Sequence, residues 1–151
     1  MSSLVNIGKK KTDTIQLPLN AEKKAHSTLN DVAEYLYEPF SPVLKTGAFN
    51  WLSEHYKVDK LQVNSHLYTS TDLSYFPGKA FKVNKVFPYN KKALKSLQGA
   101  NVNVVTRNFK LSVADLRKKY KFKEGTNRFL FFTTNLNSEQ IVIDCHKVIE
   151  I

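Results

Sequence analysis

The segment from Asn101 to Gly125 constrains the fold most, because it reads as a strand, a turn and a helix in immediate succession. Residues 102–107 alternate with the two-residue period of a strand whose one face is more buried than the other. Ser112 stands where a helix N-cap is expected, and Asp115 completes a capping box, so the helix is predicted to begin directly after Ser112. Gly125 is predicted to end it.

The predicted helix is apolar on one narrow side and basic elsewhere. Its apolar stripe is Val113, Leu116 and Tyr120, which recur at helical spacing. The remaining surface and the C-terminal end, where cations suit the helix dipole, carry Arg117, Lys118, Lys119, Lys121 and Lys123.

The net charge of +10 arises entirely in the second half of the chain. Residues 1–78 hold eight lysines and eight acids, whereas residues 79–151 hold twelve lysines and three arginines against five acids. Such a local excess is typical of a protein that binds a polyanion, because neutralising phosphates releases counterions and steers association. The alternative is an ordinary, well-solvated lysine-rich surface.

Several classes of protein and site are not expected. The chain has no apolar run of about twenty residues, and its N-terminus lacks the apolar core of a signal peptide, so a cytoplasmic protein is expected. The single cysteine, Cys145, excludes an internal disulfide and a metal site built on cysteine pairs. It should face away from His146 on a strand, so the two should not form a nucleophile and its base. No histidine pair has the helical spacing of a zinc site.

The first half is predicted to contain an arm followed by a small domain. Residues 1–31 are interpreted as an N-terminal arm or linker, in which Thr14–Leu19 is an edge strand or extended arm because it contains Pro18. Residues 32–37 are predicted to form a short strand or turn.

A helix and a strand are predicted to follow. Ser41 and Pro42 predict a helix with Ser41 as its N-cap, running to about Tyr56, with Gly47 in a close packing contact. Residues 60–70 predict one strand with a bulge.

The second half is predicted to be a β-α-β-α-β-β unit that begins after the turn at residues 74–78. Its elements are a strand over 79–87, a helix from Asn90 to Gln98, the strand and helix of 101–125, and an antiparallel hairpin over 128–134 and 139–147. The fold class is therefore α+β. The predicted domains are residues 32–77 and residues 78–151.

If the two basic helices lie on one face of the sheet, their cations would form a single phosphate-binding surface. The predicted phosphate contacts are Lys91, Lys92, Lys95, Arg117, Lys118, Lys119, Lys121 and Lys123, with Arg107 and Lys110 orienting the strand of nucleic acid. Arginines are scarce and an aromatic RNA-recognition motif is missing, so recognition of shape and backbone is expected. Base stacking is a second possibility for Tyr35, Tyr37, Tyr68 and His66, although tyrosines of this kind usually pack in a core.

Several strings resemble a known family. They are EYLYEP at Glu34–Pro39, KTGAF at Lys45–Phe49, NSHLYTS at Asn64–Ser70, FPG at Phe76–Gly78, and VTRNFKLSVADLRKKYKFKEG at 105–125 with the following RFLFFTT. Over about residues 33–147 the chain resembles the C-terminal region of a bacterial family of class I S-adenosylmethionine-dependent methyltransferase-like proteins. The resemblance implies a small ferredoxin-like domain followed by a THUMP-like domain, with a methyltransferase domain ahead of both.

The resemblance implies an RNA-binding module that recruits substrate, with RNA and the methyltransferase domain of the same parent protein as partners. A monomer is expected. A cofactor-binding core needs a glycine-rich loop, and the five glycines of this chain are far apart, so S-adenosylmethionine is expected only in the methyltransferase domain. The alternative is a structural module that packs on that domain and shapes its entrance without binding RNA. An independent small enzyme is a third possibility, but no nucleophile, base and oxyanion set can be assembled.

Overall fold

The computed structural model describes residues 2–6, 14–18, 21–125 and 127–148. Its elements in chain order are β1 (Ser2–Asn6), β2 (Thr14–Pro18), α1 (Ala21–Lys24), β3 (Tyr35–Pro39), α2 (Ser41–Leu44), α3 (Phe49–Tyr56), β4 (Asp59–Gln62), β5 (Ser65–Ser70), β6 (Gly78–Pro88), α4 (Lys91–Lys95), β7 (Asn103–Arg107), α5 (Val113–Tyr120), β8 (Arg128–Thr134) and β9 (Gln140–Lys147). The predicted α+β class and the β-α-β-α-β-β order of the second half are confirmed.

Seven strands form one sheet that runs through both halves of the chain. The strand order is β4-β5-β3-β6-β9-β8-β7, and β1 pairs with β2 in a separate two-stranded sheet. Neighbours in the large sheet are antiparallel except β7 and β8, which are parallel. The halves meet where β3 pairs with β6, with Tyr35 opposite Lys82. The division into domains at residue 77 stays a prediction.

The outer face of the sheet, defined here as the face covered by helices, carries two separate cores. In the first, side chains of α2 and α3 such as Val43 and Leu52 pack with Tyr37 and Tyr68. In the second, side chains of α4 and α5 pack with those of β7, β8 and β9. Alternation along each strand places these residues on one side of the sheet.

The inner face of the sheet has a core to which strands at both ends contribute. Leu61 and Leu67 of β4 and β5 pack in the same buried cluster as Phe131 and Ile143 of β8 and β9. Side chains from distant strands meet on this face, so the sheet must curl around it. The Ser65 hydroxyl donates to the Thr134 carbonyl at 2.7 Å and links the two ends.

The predicted continuous helix over residues 41–56 is wrong. The structure has two helices separated by a turn, and Ser41 is the first helical residue of α2, while the N-cap is Phe40 without a side-chain cap bond. Gly47 lies in that turn with a φ of +71° and nothing within 4 Å of a Cβ added to it. It therefore supplies a left-handed conformation, and the predicted close packing contact is wrong.

Two other predictions for the first half need correction. Residues 60–70 form a hairpin of β4 and β5, with the bulge between Lys60 and Gln62. The predicted arm or linker over residues 1–31 contains α1, and its end lies beside β4, where the Lys60 amide donates to the Thr28 carbonyl at 2.8 Å. The strand predicted from Thr14 is confirmed as β2, while Leu19 falls outside the described residues.

The helix starts of the second half agree with the sequence. The Asn90 side chain accepts from the Ala93 amide at 2.8 Å. In the capping box of α5, the Asp115 amide donates to Ser112 Oγ at 3.1 Å and the Ser112 amide donates to Asp115 Oδ2 at 3.3 Å. The end of α5 differs, because its C-cap is Lys121 in the left-handed conformation.

Gly125 allows a close approach of two backbone segments and does not end α5. A Cβ at this position would lie 2.7 Å from the Cα atom of Val102. Nearby, the Val102 amide donates to the Lys123 carbonyl at 2.9 Å. The chain leaving α5 is thus held against the start of β7.

Candidate nucleic-acid interface

The two basic helices lie on the same outer face of the sheet and share one core. Leu94 of α4 and Leu116 of α5 are fully buried in one core. The hydroxyl of Tyr89, just before α4, lies 2.7 Å from the hydroxyl of Tyr120 at the end of α5. The Gly99 amide donates to the Tyr120 carbonyl at 2.9 Å. The sequence analysis required the two basic helices to lie on one face of the sheet, and the structure places them there.

Eight of the ten predicted contact residues are exposed lysines on and beside these helices. This basic surface consists of Lys91, Lys92, Lys95, Lys110, Lys118, Lys119, Lys121 and Lys123. The three ion pairs found among the described residues involve none of them. Of the acids in this region, Asp115 is engaged in the capping box of α5. The ammonium groups of these eight lysines are thus available to an external anion.

Two of these lysines lie over the tyrosine pair that joins the helices. Lys110 Nζ is 5.4 Å from the centroid of the Tyr89 ring, and Lys119 Nζ is 5.5 Å from that of Tyr120. Burial and the hydrogen bond with Tyr89 raise the pKa of Tyr120, so its hydroxyl remains neutral. The loop after β7 and the end of α5 therefore bring positive charge to the same aromatic pair.

The arginines make contacts within the protein. Arg107 Nη2 lies 2.7 Å from Glu38 Oε2, and Arg117 Nη2 donates to the Val102 carbonyl at 3.3 Å. Arg128 forms a two-bond pair with Asp144, at 3.1 and 2.9 Å. The predicted contacts Arg107 and Arg117 are thus half-buried and are bonded to β3 and to the residue before β7, whereas the lysines are exposed. The assignment of all ten residues to RNA stays a prediction.

The predicted aromatic group does not form a single stacking surface. Tyr37 and Tyr68 are fully buried, and burial raises the pKa of Tyr68. The His66 ring is stacked on Phe49 with centroids 3.6 Å apart. Tyr37 and Tyr68 therefore pack in the core and are not available to stack on bases. Tyr35 is half-buried on the outer face.

Cys145 and His146 face opposite sides of β9, as predicted. The Cys145 thiol is buried, donates to the Phe129 carbonyl at 3.7 Å, and has a pKa raised mainly by burial. His146 Nδ1 lies 3.0 Å from Asn84 Oδ1. Among the described residues, no group of three or more His, Cys, Asp or Glu side chains could hold a metal ion. The helices in the described ranges are all too short or too polar to cross a membrane.

A row of side chains on the outer face was missed by the sequence analysis. Tyr35, Lys82, His146 and Arg128 stand opposite one another on four adjacent strands. They are far apart in the sequence, and only the strand register brings them together. No local pattern could have found this row.

The comparisons with known proteins agree with this architecture. Residues 35–77 match a ferredoxin-like domain, and residues 78–147 match the family described as THUMP domain-like. The crystal structure of a "putative methyltransferase" from Porphyromonas gingivalis W83 matches 93% of this chain with a TM-score of 0.85 and 28% sequence identity. This chain covers 36% of that protein's chain. No curated protein sequence matches. The chain therefore carries a ferredoxin-like domain followed by a THUMP-like domain, which is the arrangement expected from the resemblance to the C-terminal region of the methyltransferase-like family.

Proposed function

We propose that this chain is a cytoplasmic RNA-binding module that recruits a structured RNA to an S-adenosylmethionine-dependent methyltransferase domain. The observation that carries the proposal is the packing of α4 and α5 on one core, because both helices bear exposed lysines and lie on the same face of the sheet. The match of residues 78–147 to the THUMP-like family favours RNA as the polyanion. The methyltransferase neighbour favours a role in RNA methylation.

The chemistry of the basic surface favours recognition of the RNA backbone. Lysine ammonium groups act as point charges on flexible stems and suit phosphate oxygens, whereas reading a base edge calls for forked groups such as arginine. The three arginines are engaged in contacts within the protein. We therefore expect the module to select RNA by shape and charge, with an affinity that depends strongly on salt.

The first experiment measures the affinity for a labelled RNA hairpin by fluorescence anisotropy over a salt series. Each phosphate neutralised adds close to one unit to the slope of log affinity against log salt. We expect affinity to fall at least about tenfold between about 50 and 200 mM salt. An affinity that hardly changes over this range would contradict the proposal.

Charge reversal on α5 tests the location of the interface. Lys118→Glu with Lys119→Glu should weaken hairpin binding and lower the salt slope by about two units or more, since each lysine contacting phosphate contributes about one. The matched control is Lys23→Glu with Lys24→Glu, because these adjacent exposed lysines lie on the short helix α1. The control should retain most of the affinity. Equal losses in the two variants would contradict a surface on α4 and α5.

A structural role is the second candidate, favoured by two exposed apolar side chains in the segment before β6. Leu73 is 52% exposed and Tyr75 is 70% exposed, and such residues can pack against another domain. Mixing this chain with the methyltransferase domain without RNA should then give a stable complex in size-exclusion chromatography. Complex formation together with hairpin affinity that survives the α5 charge reversal would favour this candidate over RNA recruitment.

A further inference from the structure

The hydroxyl pair of Tyr89 and Tyr120 has a hydrogen-bonding capacity that the fold does not use. The two oxygens are 2.7 Å apart, and the bond between them is only partly buried. In such a pair one hydroxyl donates and the other accepts, so the accepting hydroxyl keeps its own proton. Neither hydroxyl has a second hydrogen-bond partner in the described part of the chain. One O–H group of the pair can therefore donate to a ligand.

The pair is held in place by the aromatic core beneath it. The Tyr89 ring packs edge-on against Phe109 and Phe132, with centroids 5.0 and 6.0 Å apart, and the Tyr120 ring lies 5.6 Å from that of Phe122. Burial and the hydrogen bond with Tyr89 raise the pKa of Tyr120, so the hydroxyl of Tyr120 keeps its proton. The pair is thus a fixed and neutral hydrogen-bond donor.

Two exposed lysines bring positive charge to this donor. Lys110 Nζ lies 5.4 Å from the centroid of the Tyr89 ring, and Lys119 Nζ lies 5.5 Å from that of Tyr120. Neither lysine takes part in the ion pairs found among the described residues. One comes from the loop after β7 and the other from α5, so only the fold brings them to the tyrosines. Their flexible stems let both ammonium groups turn toward a ligand at the hydroxyls.

A fixed neutral donor beside two mobile cations suits an oxyanion with several acceptor oxygens. A phosphate group can accept from the O–H group and from both ammonium groups at the same time, and such charge-assisted hydrogen bonds are the stronger ones. Lys110 and Lys119 lie over the two rings, so the pair offers its hydroxyls and not its ring faces. The arrangement therefore favours a phosphate of a nucleic-acid backbone over a base.

We propose that the hydroxyl pair of Tyr89 and Tyr120, together with Lys110 and Lys119, binds one phosphate of the RNA backbone. The inference rests on the proposed RNA-binding function and assigns a neutral donor to one of its phosphate contacts. A neutral donor adds affinity without releasing a counterion, whereas each lysine that contacts phosphate adds to the salt dependence. A salt series should thus separate the contribution of the tyrosines from that of the lysines.

The test is the double variant Tyr89→Phe with Tyr120→Phe, which removes both hydroxyls and keeps both rings. Because no hydroxyl is left without its partner, the melting temperature should stay within about 3 °C of the wild-type value. We expect the affinity for the RNA hairpin to fall about five- to tenfold at a fixed salt concentration, since a hydrogen bond to a charged group is lost. The slope of log affinity against log salt should stay unchanged.

Two further variants serve as references. Lys110→Gln with Lys119→Gln should lower the salt slope by about two units, because two cations are removed. Tyr75→Phe removes a hydroxyl from a residue that is 70% exposed and lies in the segment before β6. This matched control should keep the wild-type affinity and slope.

Two results with the double tyrosine variant would overturn the phosphate site. One is a hairpin affinity within about twofold of the wild-type value. The other is a lower salt slope in the folded variant, because the tyrosines would then act only by holding the lysines. A wild-type affinity that hardly depends on salt would instead overturn the proposed function.

A titration of the wild-type chain with inorganic phosphate tests the site without RNA and without a substitution. In NMR spectra we expect the ring signals of Tyr89 and Tyr120 to shift and those of Tyr75 to stay in place. Potassium chloride at the same ionic strength is the reference and should leave all three rings unchanged. Equal shifts in the two salts, or phosphate-induced shifts confined to lysines, would overturn the proposal.

Discussion

His66 shows how its neighbours set the charge of one residue. Its ring is stacked on Phe49, and its Nδ1 atom is buried without a hydrogen-bond partner in the described part of the chain. Burial, with smaller contributions from the charges of Lys60 and Arg107, lowers the pKa of His66 from 6.5 to about 4. His66 is therefore neutral at physiological pH and packs between β5 and α3 without a charge of its own.

This lowered pKa predicts a loss of stability in mild acid. The pKa of His66 is about 4 in the folded chain and 6.5 in the unfolded chain. The unfolded chain therefore binds more protons between these two pH values. Stability is then fully present above pH 6.5 and falls as the pH drops toward 4. His66→Phe keeps the stacking on Phe49 and cannot bind a proton, so its melting temperature should fall less on acidification.

The measurement is the change in melting temperature between about pH 7 and about pH 5 for each variant. The control is His26→Gln, whose histidine is exposed in the segment after α1. This variant should lose as much stability on acidification as the wild-type chain. An equal loss in His66→Phe would contradict the assignment of the shift to His66.

At the scale of elements, local signals determined the second half better than the first. The capping box of α5 and the N-cap of α4 follow from residue types at fixed spacing. Ser41 and Pro42 are the same kind of signal, yet the N-cap of α2 is Phe40 and not Ser41. Phe40 also makes a tertiary contact. The Phe40 amide donates to the Pro77 carbonyl at 3.1 Å, which fixes Phe40 at the strand side of the helix start. Such a contact between distant residues leaves no local pattern.

The hairpin of β4 and β5 was missed for a related reason. Its turn contains neither glycine nor proline, so the usual turn signal is absent from residues 60–70. Side chains from the strand stabilise it instead. Lys60 Nζ donates to the Val63 carbonyl, and the Asn64 amide donates to Gln62 Oε1 at 2.6 Å.

The two serines give a prediction about helix starts. Ser112→Ala removes the side-chain acceptor of the α5 capping box and should lower the free energy of unfolding by about 1 kcal/mol. Ser41→Ala should change it by only a few tenths, because Ser41 makes no cap bond in α2. Urea denaturation of the two variants measures both changes. A larger loss for Ser41→Ala than for Ser112→Ala would contradict the observed boundary of α2.

At the scale of the whole molecule, the curl of the sheet and the positions of the charges have different origins in the sequence. The count of lysines in the second half indicated a polyanion partner, and the apolar stripes of the helices indicated which sides they bury. The inner core and the row of Tyr35, Lys82, His146 and Arg128 depend on which strands are neighbours, and β4 and β8 are separated by long stretches of chain. Contacts of that kind are set by global packing, so they could not be predicted from local patterns.

The Arg107–Glu38 ion pair is one of the contacts that hold the curled sheet closed. It joins β7, an edge strand, to β3 near the middle of the sheet, and the Glu38 side chain is only 11% exposed. Asn108, the next residue, donates to Ser65 Oγ of β5 at 3.1 Å. The end of β7 is thus bonded to both β3 and β5 across the inner face.

We therefore expect Arg107 to contribute to stability more than to RNA binding. Arg107→Met leaves the nearly buried Glu38 carboxylate without its cation and should lower the free energy of unfolding by roughly 2 to 3 kcal/mol. The hairpin affinity of the folded variant should stay close to that of the wild-type chain. Adding Glu38→Gln should recover part of the stability, because the unpaired charge is then removed.

The control is Lys82→Met, which breaks an exposed pair with Glu34 and should cost little. Urea denaturation and anisotropy on the same samples separate the two roles: a large loss of hairpin affinity with unchanged stability would place Arg107 in the RNA interface instead of the sheet closure.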